Sequence, residues 1–185
     1  MTSPPAGPDG RGYIQLPAFT WDQRCFGCGS GNPYGLKMQF HRRDDEVASW
    51  IRIPEHLCGW GGLVHGGVIA TILDEVMSWT AIHLARRLIL TQSMQVAFLK
   101  PIHTGQTIKA AGKMEARLSE RKATCSAQIV DDTGSCCARG QGVFALFTAS
   151  AGRRMKIIDP AIIDGFERFL SAPPAADPSP PRQQD

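Results

Sequence analysis

The sequence of 185 residues has little net charge, and this near balance excludes one broad class of function. Twenty lysines and arginines offset 17 aspartates and glutamates, so the formal net charge is only +3. A chain that binds a nucleic acid backbone usually concentrates far more positive charge on one surface. We therefore expect no nucleic acid partner.

Features of membrane insertion and secretion are also missing from the sequence. No uninterrupted apolar run approaches the length of about 20 residues that crosses a bilayer, and the N-terminus lacks the charged-then-apolar layout of a signal peptide. Six cysteines occur, but their spacing is not that of a disulfide framework. We therefore expect a cytoplasmic protein with no membrane partner.

Familiar phosphate, dinucleotide and metal motifs are missing as well. We find no P-loop, no Gly-x-Gly-x-x-Gly fingerprint and no Gly-x-Ser-x-Gly motif. Cys25 and Cys28 have the spacing of half a zinc site, but no second cysteine pair at zinc-finger spacing and no nearby histidine accompany them. The favoured interpretation is a glycine-rich turn with buried thiols, so we expect neither a metal nor a separate cofactor.

What the sequence does contain is a glycine turn that leads directly into a long, mostly apolar helix. The turn is His65-Gly66-Gly67, and the helix runs to about Arg87. The start of such a helix presents unpaired N–H groups and a partial positive charge, which suits an oxygen that becomes negative during a reaction. One helix face carries small residues and a single carboxylate, Asp74. That face suits either chemistry or close helix packing, and the spacing alone leaves both open.

Alternating apolar and polar residues predict six strands around this helix. One long helix among antiparallel strands indicates an α+β fold in which the sheet curls around the helix. The expected strands lie within residues 37–43, 47–53, 90–100, 106–117, 122–131 and 135–149.

Composition divides the chain into a central domain with two flanking segments. Residues 1–20 are rich in proline, glycine and serine, and we expect a flexible arm there. Residues 21–150 form the domain. The segment 151–185 is expected to contain a short helix over 157–171 and, from 172 onward, a disordered proline-rich tail.

These motifs, in this order, resemble the hotdog-fold acyl-CoA thioesterases of the phenylacetate-pathway (PaaI-like) type. The family's His-Gly-Gly, with an acidic residue nine positions after the histidine, is matched by His65 and Asp74. The resemblance covers about residues 21–150 and implies a long central helix wrapped by a curved six-stranded antiparallel sheet. Three further segments carry it: Cys25-Phe26-Gly27-Cys28-Gly29, Asn32-Pro33-Tyr34-Gly35-Leu36 and Phe98-Leu99-Lys100-Pro101.

The resemblance also implies an activity, the hydrolysis of an acyl-CoA thioester at a site shared across a homodimer or a dimer of dimers. It assigns the backbone N–H of Gly66 to the carbonyl oxygen and Asp74 to the role of base or nucleophile. His65 and Gly67 shape the turn, and His65 serves either the substrate or a structural hydrogen bond. Ser78, one turn after Asp74, either holds the attacking water or is simply a small residue on a crowded face.

Coenzyme A is part of the substrate, and its phosphates need basic groups near the pocket mouth. The resemblance places the coenzyme at the strand turn 118–122, which contains Ser119, and at Thr91, which begins the strand after the helix at a similar family position. Arg121 and Lys122 of that turn are therefore the candidates for the phosphates. An ordinary charged hairpin turn is the alternative. Trp60, in the loop before the helix, either packs in the interior or lines the acyl pocket.

One position departs from the family pattern. Many members carry asparagine or glutamine six residues before the histidine, and this chain has Gly59 there. The departure keeps a second hypothesis open, a non-catalytic hotdog module that binds an acyl-CoA or a small aromatic ligand.

Overall fold

A seven-stranded antiparallel sheet wraps one long helix in the computed structural model, which describes residues 12–17, 24–156 and 158–171. The sheet order is β1-β2-β3-β5-β6-β7-β4. The α+β hotdog fold predicted from the sequence is confirmed, with one strand more than expected. The strands are β1 (Ile14–Gln15), β2 (His41–Arg43), β3 (Glu46–Arg52), β4 (Leu88–Phe98), β5 (Thr107–Ser119), β6 (Lys122–Val130) and β7 (Cys136–Phe147).

The central helix, α1, spans Gly66–Ala85 and begins and ends near the predicted positions. Its C-cap, Arg86, adopts a left-handed conformation with φ of 53° that turns the chain into β4. By length and composition α1 could cross a membrane, but 67% of its most apolar window is buried inside the protein. It is therefore the core helix on which the sheet packs.

The additional strand lies in the segment expected to be a flexible arm. Ile14 and Gln15 pair with Arg42 and His41 of β2, and Tyr13, Ile14 and Leu16 are buried. The expectation of flexibility is wrong for residues 12–17, because these few apolar side chains anchor a segment whose average composition is that of a loop. The rest of the arm lies outside the described residues.

Two helices follow the sheet, α2 (Ala149–Met155) and α3 (Pro160–Ser171). Helix α3 matches the expected short helix, whereas α2 was not predicted. Phe166 and Phe169 of α3 are buried, and the ring of Phe169 meets that of Trp79 edge-on at 6.2 Å. Helix α3 therefore packs on the domain itself. Residues 172–185, for which disorder was expected, lie outside the described residues.

Candidate active site

A cavity of about 320 Å³ opens between α1, β4, α3 and the loop that contains Cys25 and Cys28. Its size is within the range of small-molecule pockets. Three of the residues predicted as site residues lie along it: Asp74, Ser78 and Thr91. Most of the remaining wall is apolar, with Trp79, Ile82, Leu88, Ile89, Leu90, Ile158, Ile162 and Phe166.

Asp74 projects from the middle of α1 and is half-buried. The Oγ1 of Thr91 donates a hydrogen bond of 2.8 Å to its Oδ1. Burial raises the pKa of Asp74 above its ordinary value, and the Thr91 hydrogen bond offsets part of that rise. A carboxylate with a raised pKa is a better proton acceptor than a solvated one. Thr91, predicted as a coenzyme contact, thus holds the Asp74 carboxylate.

The start of α1 provides an exposed N–H donor. The Nδ1 of His65 accepts a hydrogen bond of 3.0 Å from the N–H of Gly67, so His65 caps the helix, in agreement with its structural alternative. In the described part of the chain no hydrogen bond uses the N–H of Gly66. A Cβ at Gly66 would lie 3.6 Å from the ring of Phe98, which places this N–H beside the end of β4.

The N–H of Gly66 and the carboxylate of Asp74 are too far apart in one chain to act on the same carbonyl. Eight residues separate them along α1, which at 1.5 Å per residue is about 12 Å. A reacting carbonyl must lie about 3 Å from both its donor and the attacking group. One chain therefore holds both halves of the predicted site without joining them.

The β5–β6 turn lies near the β4 wall of the cavity. Glu120 in this turn approaches Arg87 at 3.7 Å, and Arg87 directly precedes Leu88 in the cavity wall. The carboxylate of Glu120 also pairs with Arg117 at 2.7 Å. Neither Arg121 nor Lys122 has an ion pair within the described ranges, and both are exposed.

The hydroxyl of Ser119 has a structural partner in the same turn. Its Oγ accepts a hydrogen bond of 3.2 Å from the N–H of Arg121. Ser119 therefore shapes the turn that presents Arg121 and Lys122.

Trp60 is neither packed in the interior nor part of the cavity wall, the two positions predicted from the sequence. Its side chain is 87% exposed and lines no part of the cavity in this chain. Neither buried packing nor a place in the acyl pocket of its own chain agrees with this exposure.

Gly59, at the position that departs from the family pattern, has its N–H bonded to the carbonyl of Leu63 at 2.7 Å. A Cβ at Gly59 would meet the Cα of His65 at 3.4 Å.

Sequence reasoning missed a cluster of three side chains on the cavity wall. The Sγ atoms of Cys25 and Cys28 are 3.5 Å apart, and the Sγ of Cys25 lies 3.6 Å from Oε1 of Glu75. The Cys28 thiol, hydrogen-bonded to the Cys25 sulfur, lowers the pKa of Cys25, and burial raises the pKa of Glu75. The Cys25-x-x-Cys28 spacing was visible in the sequence, but its partner 50 residues away was not.

Comparison with known proteins agrees with the resemblance seen in the sequence. Residues 61–138 match the sequence profile of the thioesterase superfamily. Verlamelin biosynthesis protein B of a Lecanicillium species is 27% identical to a segment that covers 35% of this chain and 40% of that protein. The chain thus spans well under half of this curated relative.

Solved structures share the fold at low sequence identity. A thioesterase superfamily protein superimposes with a TM-score of 0.60 and 22% identity, covering 66% of this chain and 60% of its own. The AziG protein of S. sahachiroi superimposes with a TM-score of 0.56 and 24% identity, and the match covers 61% of this chain and 93% of AziG. The PaaI protein of the E. coli phenylacetic acid degradation operon superimposes with a TM-score of 0.56 and 13% identity, and the match covers 60% of this chain and 80% of PaaI.

Proposed function

We propose that this chain, a member of the thioesterase superfamily with the hotdog fold, hydrolyses an acyl-CoA to a free acid and coenzyme A. The observation that carries the proposal is the half-buried Asp74 carboxylate, which is held by Thr91 at 2.8 Å on the wall of a largely apolar cavity. A carboxylate in such a position can act as a base or a nucleophile toward a bound ester.

The proposed reaction uses two groups that carry opposite partial charges. The N–H of Gly66, at the positive end of α1, donates to the thioester oxygen as negative charge develops there. Asp74 either takes a proton from the attacking water, with Ser78 one helical turn away to orient that water, or attacks the carbonyl directly. The thiolate of coenzyme A leaves in both cases, and after direct attack water hydrolyses the mixed anhydride formed on Asp74 to release the free acid. The apolar part of the cavity beside α3, with Ile162 and Phe166, receives the acyl group.

Because the two groups are about 12 Å apart along α1 in one chain, we propose that they meet across a homodimer, with Asp74 of one chain facing Gly66 of the other. The exposed N–H of Gly66 beside Phe98, at the end of the outermost strand β4, supports this arrangement. A dimer of dimers would preserve the same pairing.

The phosphates of coenzyme A are assigned to Arg121 and Lys122. Of the cations around the β5–β6 turn, Arg87 and Arg117 share the carboxylate of Glu120, which leaves Arg121 and Lys122 available to a bound anion. Their turn adjoins the β4 wall of the cavity at Leu88. A nucleotide held there can extend its pantetheine arm into the cavity.

A thiol-release assay over a panel of acyl-CoAs tests the proposal. The panel runs from acetyl-CoA through long-chain to aromatic thioesters, and we expect at least one to be hydrolysed at a rate that Asp74→Asn abolishes. No release from any thioester, combined with tight acyl-CoA binding by calorimetry, would instead support the non-catalytic binding module. The observation in favour of that second function is Gly59, which supplies no side chain where many relatives have an amide.

A further inference from the structure

A second group of chemically reactive side chains lies on the cavity wall and takes no part in the proposed hydrolysis. It consists of Cys25 and Cys28, from the loop before β2, and Glu75, from α1. The two sulfurs and one carboxylate oxygen lie within 4.8 Å of one another. All three residues are at most partly exposed and line the cavity.

Two of the three distances between the donor atoms are close to the edges of a tetrahedral metal site, and the third is within 4.8 Å. With zinc–sulfur bonds of about 2.3 Å and zinc–oxygen bonds of about 2.0 Å, tetrahedral angles give edges of about 3.8 Å between sulfurs and about 3.5 Å between sulfur and oxygen. The corresponding separations here are 3.5 Å and 3.6 Å. A disulfide requires its sulfurs at about 2.05 Å, so the loop holds the thiols apart at a spacing that suits a shared ion.

The backbone is shaped to bring the carboxylate to the thiols. Gly27 lies between the two cysteines, and a Cβ at this position would come within 2.3 Å of the Glu75 Cδ. Any larger residue at position 27 would displace the Glu75 carboxylate from its place beside the thiols. The N–H of Gly29 closes the turn by donating to the carbonyl of Cys25 at 3.1 Å.

We propose that Cys25, Cys28 and Glu75 bind a zinc ion whose fourth coordination position faces the cavity. Thiolates and carboxylates are both ligands of Zn²⁺, and three protein ligands leave one tetrahedral position open. No other histidine, cysteine, aspartate or glutamate in the described parts of the chain joins the group. We assign the fourth position, on the cavity side, to a water molecule or a donor atom of the substrate. This site replaces the sequence-based expectation of a simple turn, and it does not depend on the proposed hydrolysis.

Zinc in this position would tie the loop at residues 25–28 to α1, at the boundary between the cavity and the core. An ion that binds the folded chain and not the unfolded chain raises the melting temperature. We therefore expect the zinc-loaded full chain to melt several degrees above the chelator-stripped chain. Metal binding can thus be read from stability as well as from spectroscopy.

Titration of the reduced, chelator-stripped full chain with Co²⁺ tests the site. We expect thiolate-to-cobalt charge-transfer absorption that saturates at about one ion per chain and is abolished when Zn²⁺ displaces the cobalt. Cys28→Ser should weaken Co²⁺ binding by about 100-fold or more, since a thiolate ligand is lost. Glu75→Gln, which is nearly isosteric, and Gly27→Ala, which keeps all three ligands, should each weaken it by about tenfold or more.

The matched controls are Cys58→Ser and Cys136→Ser, which each remove a thiol outside the cluster and should leave the cobalt spectrum unchanged. Circular dichroism confirms that each variant is folded. Absence of the charge-transfer band in the reduced wild-type chain would overturn the proposal, whatever the variants do. So would a band that survives Cys28→Ser or disappears in the two controls.

Discussion

At the scale of single residues, the polar contacts of the candidate site differ in how visible they are in the sequence. His65 and Gly67 are two positions apart, and Asp74 follows on the same helix, so local spacing shows them together. Thr91 is 17 positions from Asp74 and Glu75 is 50 from Cys25. Only the packing of β4 and the N-terminal loop on α1 reveals those two contacts.

The first residue-scale prediction concerns the base or nucleophile. Asp74→Asn should keep the fold and lower turnover by about 10²–10⁴-fold, because the amide is nearly isosteric with the carboxylate but accepts no proton. Thiol release under saturating acyl-CoA measures turnover, and thermal melting checks the fold. Turnover at the wild-type rate would show that Asp74 is not catalytic.

The second residue-scale prediction concerns the Thr91 hydroxyl, which is hydrogen-bonded to the Asp74 carboxylate. Thr91→Val keeps the side-chain shape but removes the 2.8 Å hydrogen bond, and we expect kcat to fall about three- to tenfold as the carboxylate loses its orientation. Thr91→Ser retains the hydroxyl and should restore most of the rate. If the serine variant is as impaired as the valine variant, the methyl group matters through packing and the positioning role is wrong.

At the scale of secondary structure elements, the sequence predicts the long elements well and the short ones poorly. Helix α1 and strands β3 to β7 carry periodic apolar residues over enough positions to be recognised. Strand β1 has two residues, too few for any period to show. The prediction for Trp60 was wrong because an aromatic side chain in a loop is usually covered by tertiary packing, whereas this loop exposes its tryptophan to solvent.

An element-scale prediction concerns α3, which lines the apolar part of the cavity. Ile162 belongs to that lining, and Ile162→Trp should reduce the space for the acyl chain. We expect at least about a tenfold fall in kcat/KM for long-chain acyl-CoAs with little change for acetyl-CoA. The control is Ala161→Trp, at the exposed neighbouring position. Equal effects on all chain lengths would place the acyl group elsewhere.

A second element-scale prediction concerns the β5–β6 turn. Arg121→Ala should raise KM for an acyl-CoA by about tenfold or more, since a charge-assisted bond to phosphate contributes about 1.5–3 kcal/mol. Hydrolysis of a short thioester without the nucleotide should be almost unchanged. Lys113→Ala, which removes an exposed cation from the middle of β5, is the control. An equal loss of activity on both substrates would show that Arg121 supports the fold and does not bind coenzyme A.

At the scale of the whole molecule, the outermost strand β4 is the surface that we expect a partner chain to cover. This strand has 11 residues and pairs only with β7 among the described strands. Its exposed apolar side chains are Leu90 and Phe98, followed by Leu99, which are 40%, 56% and 51% accessible. A long apolar edge is an aggregation hazard unless it is covered, and the proposed homodimer would cover it with a second copy of the chain.

Complementation between two inactive variants tests this shared site. Gly66→Pro removes the proposed N–H donor at the first position of α1, where proline is well tolerated. The preceding His65 already has the extended conformation, φ −62° and ψ 135°, that a following proline requires. Gly66→Ala keeps the N–H and meets only ordinary contact with the Phe98 ring. We expect Gly66→Pro to be nearly inactive and Gly66→Ala to retain most of its rate.

Co-expressed chains carrying Gly66→Pro and Asp74→Asn should recover activity that neither has alone. In a mixed dimer, one of the two sites pairs the intact Gly66 of one chain with the intact Asp74 of the other, while the second site lacks both groups. Random pairing makes half of the dimers mixed, so about a quarter of the wild-type rate should return. Light scattering should show a dimer or tetramer at micromolar concentration. If the mixture stays as inactive as its parents although mixed dimers are present, each chain contains its own complete site and the shared arrangement is wrong.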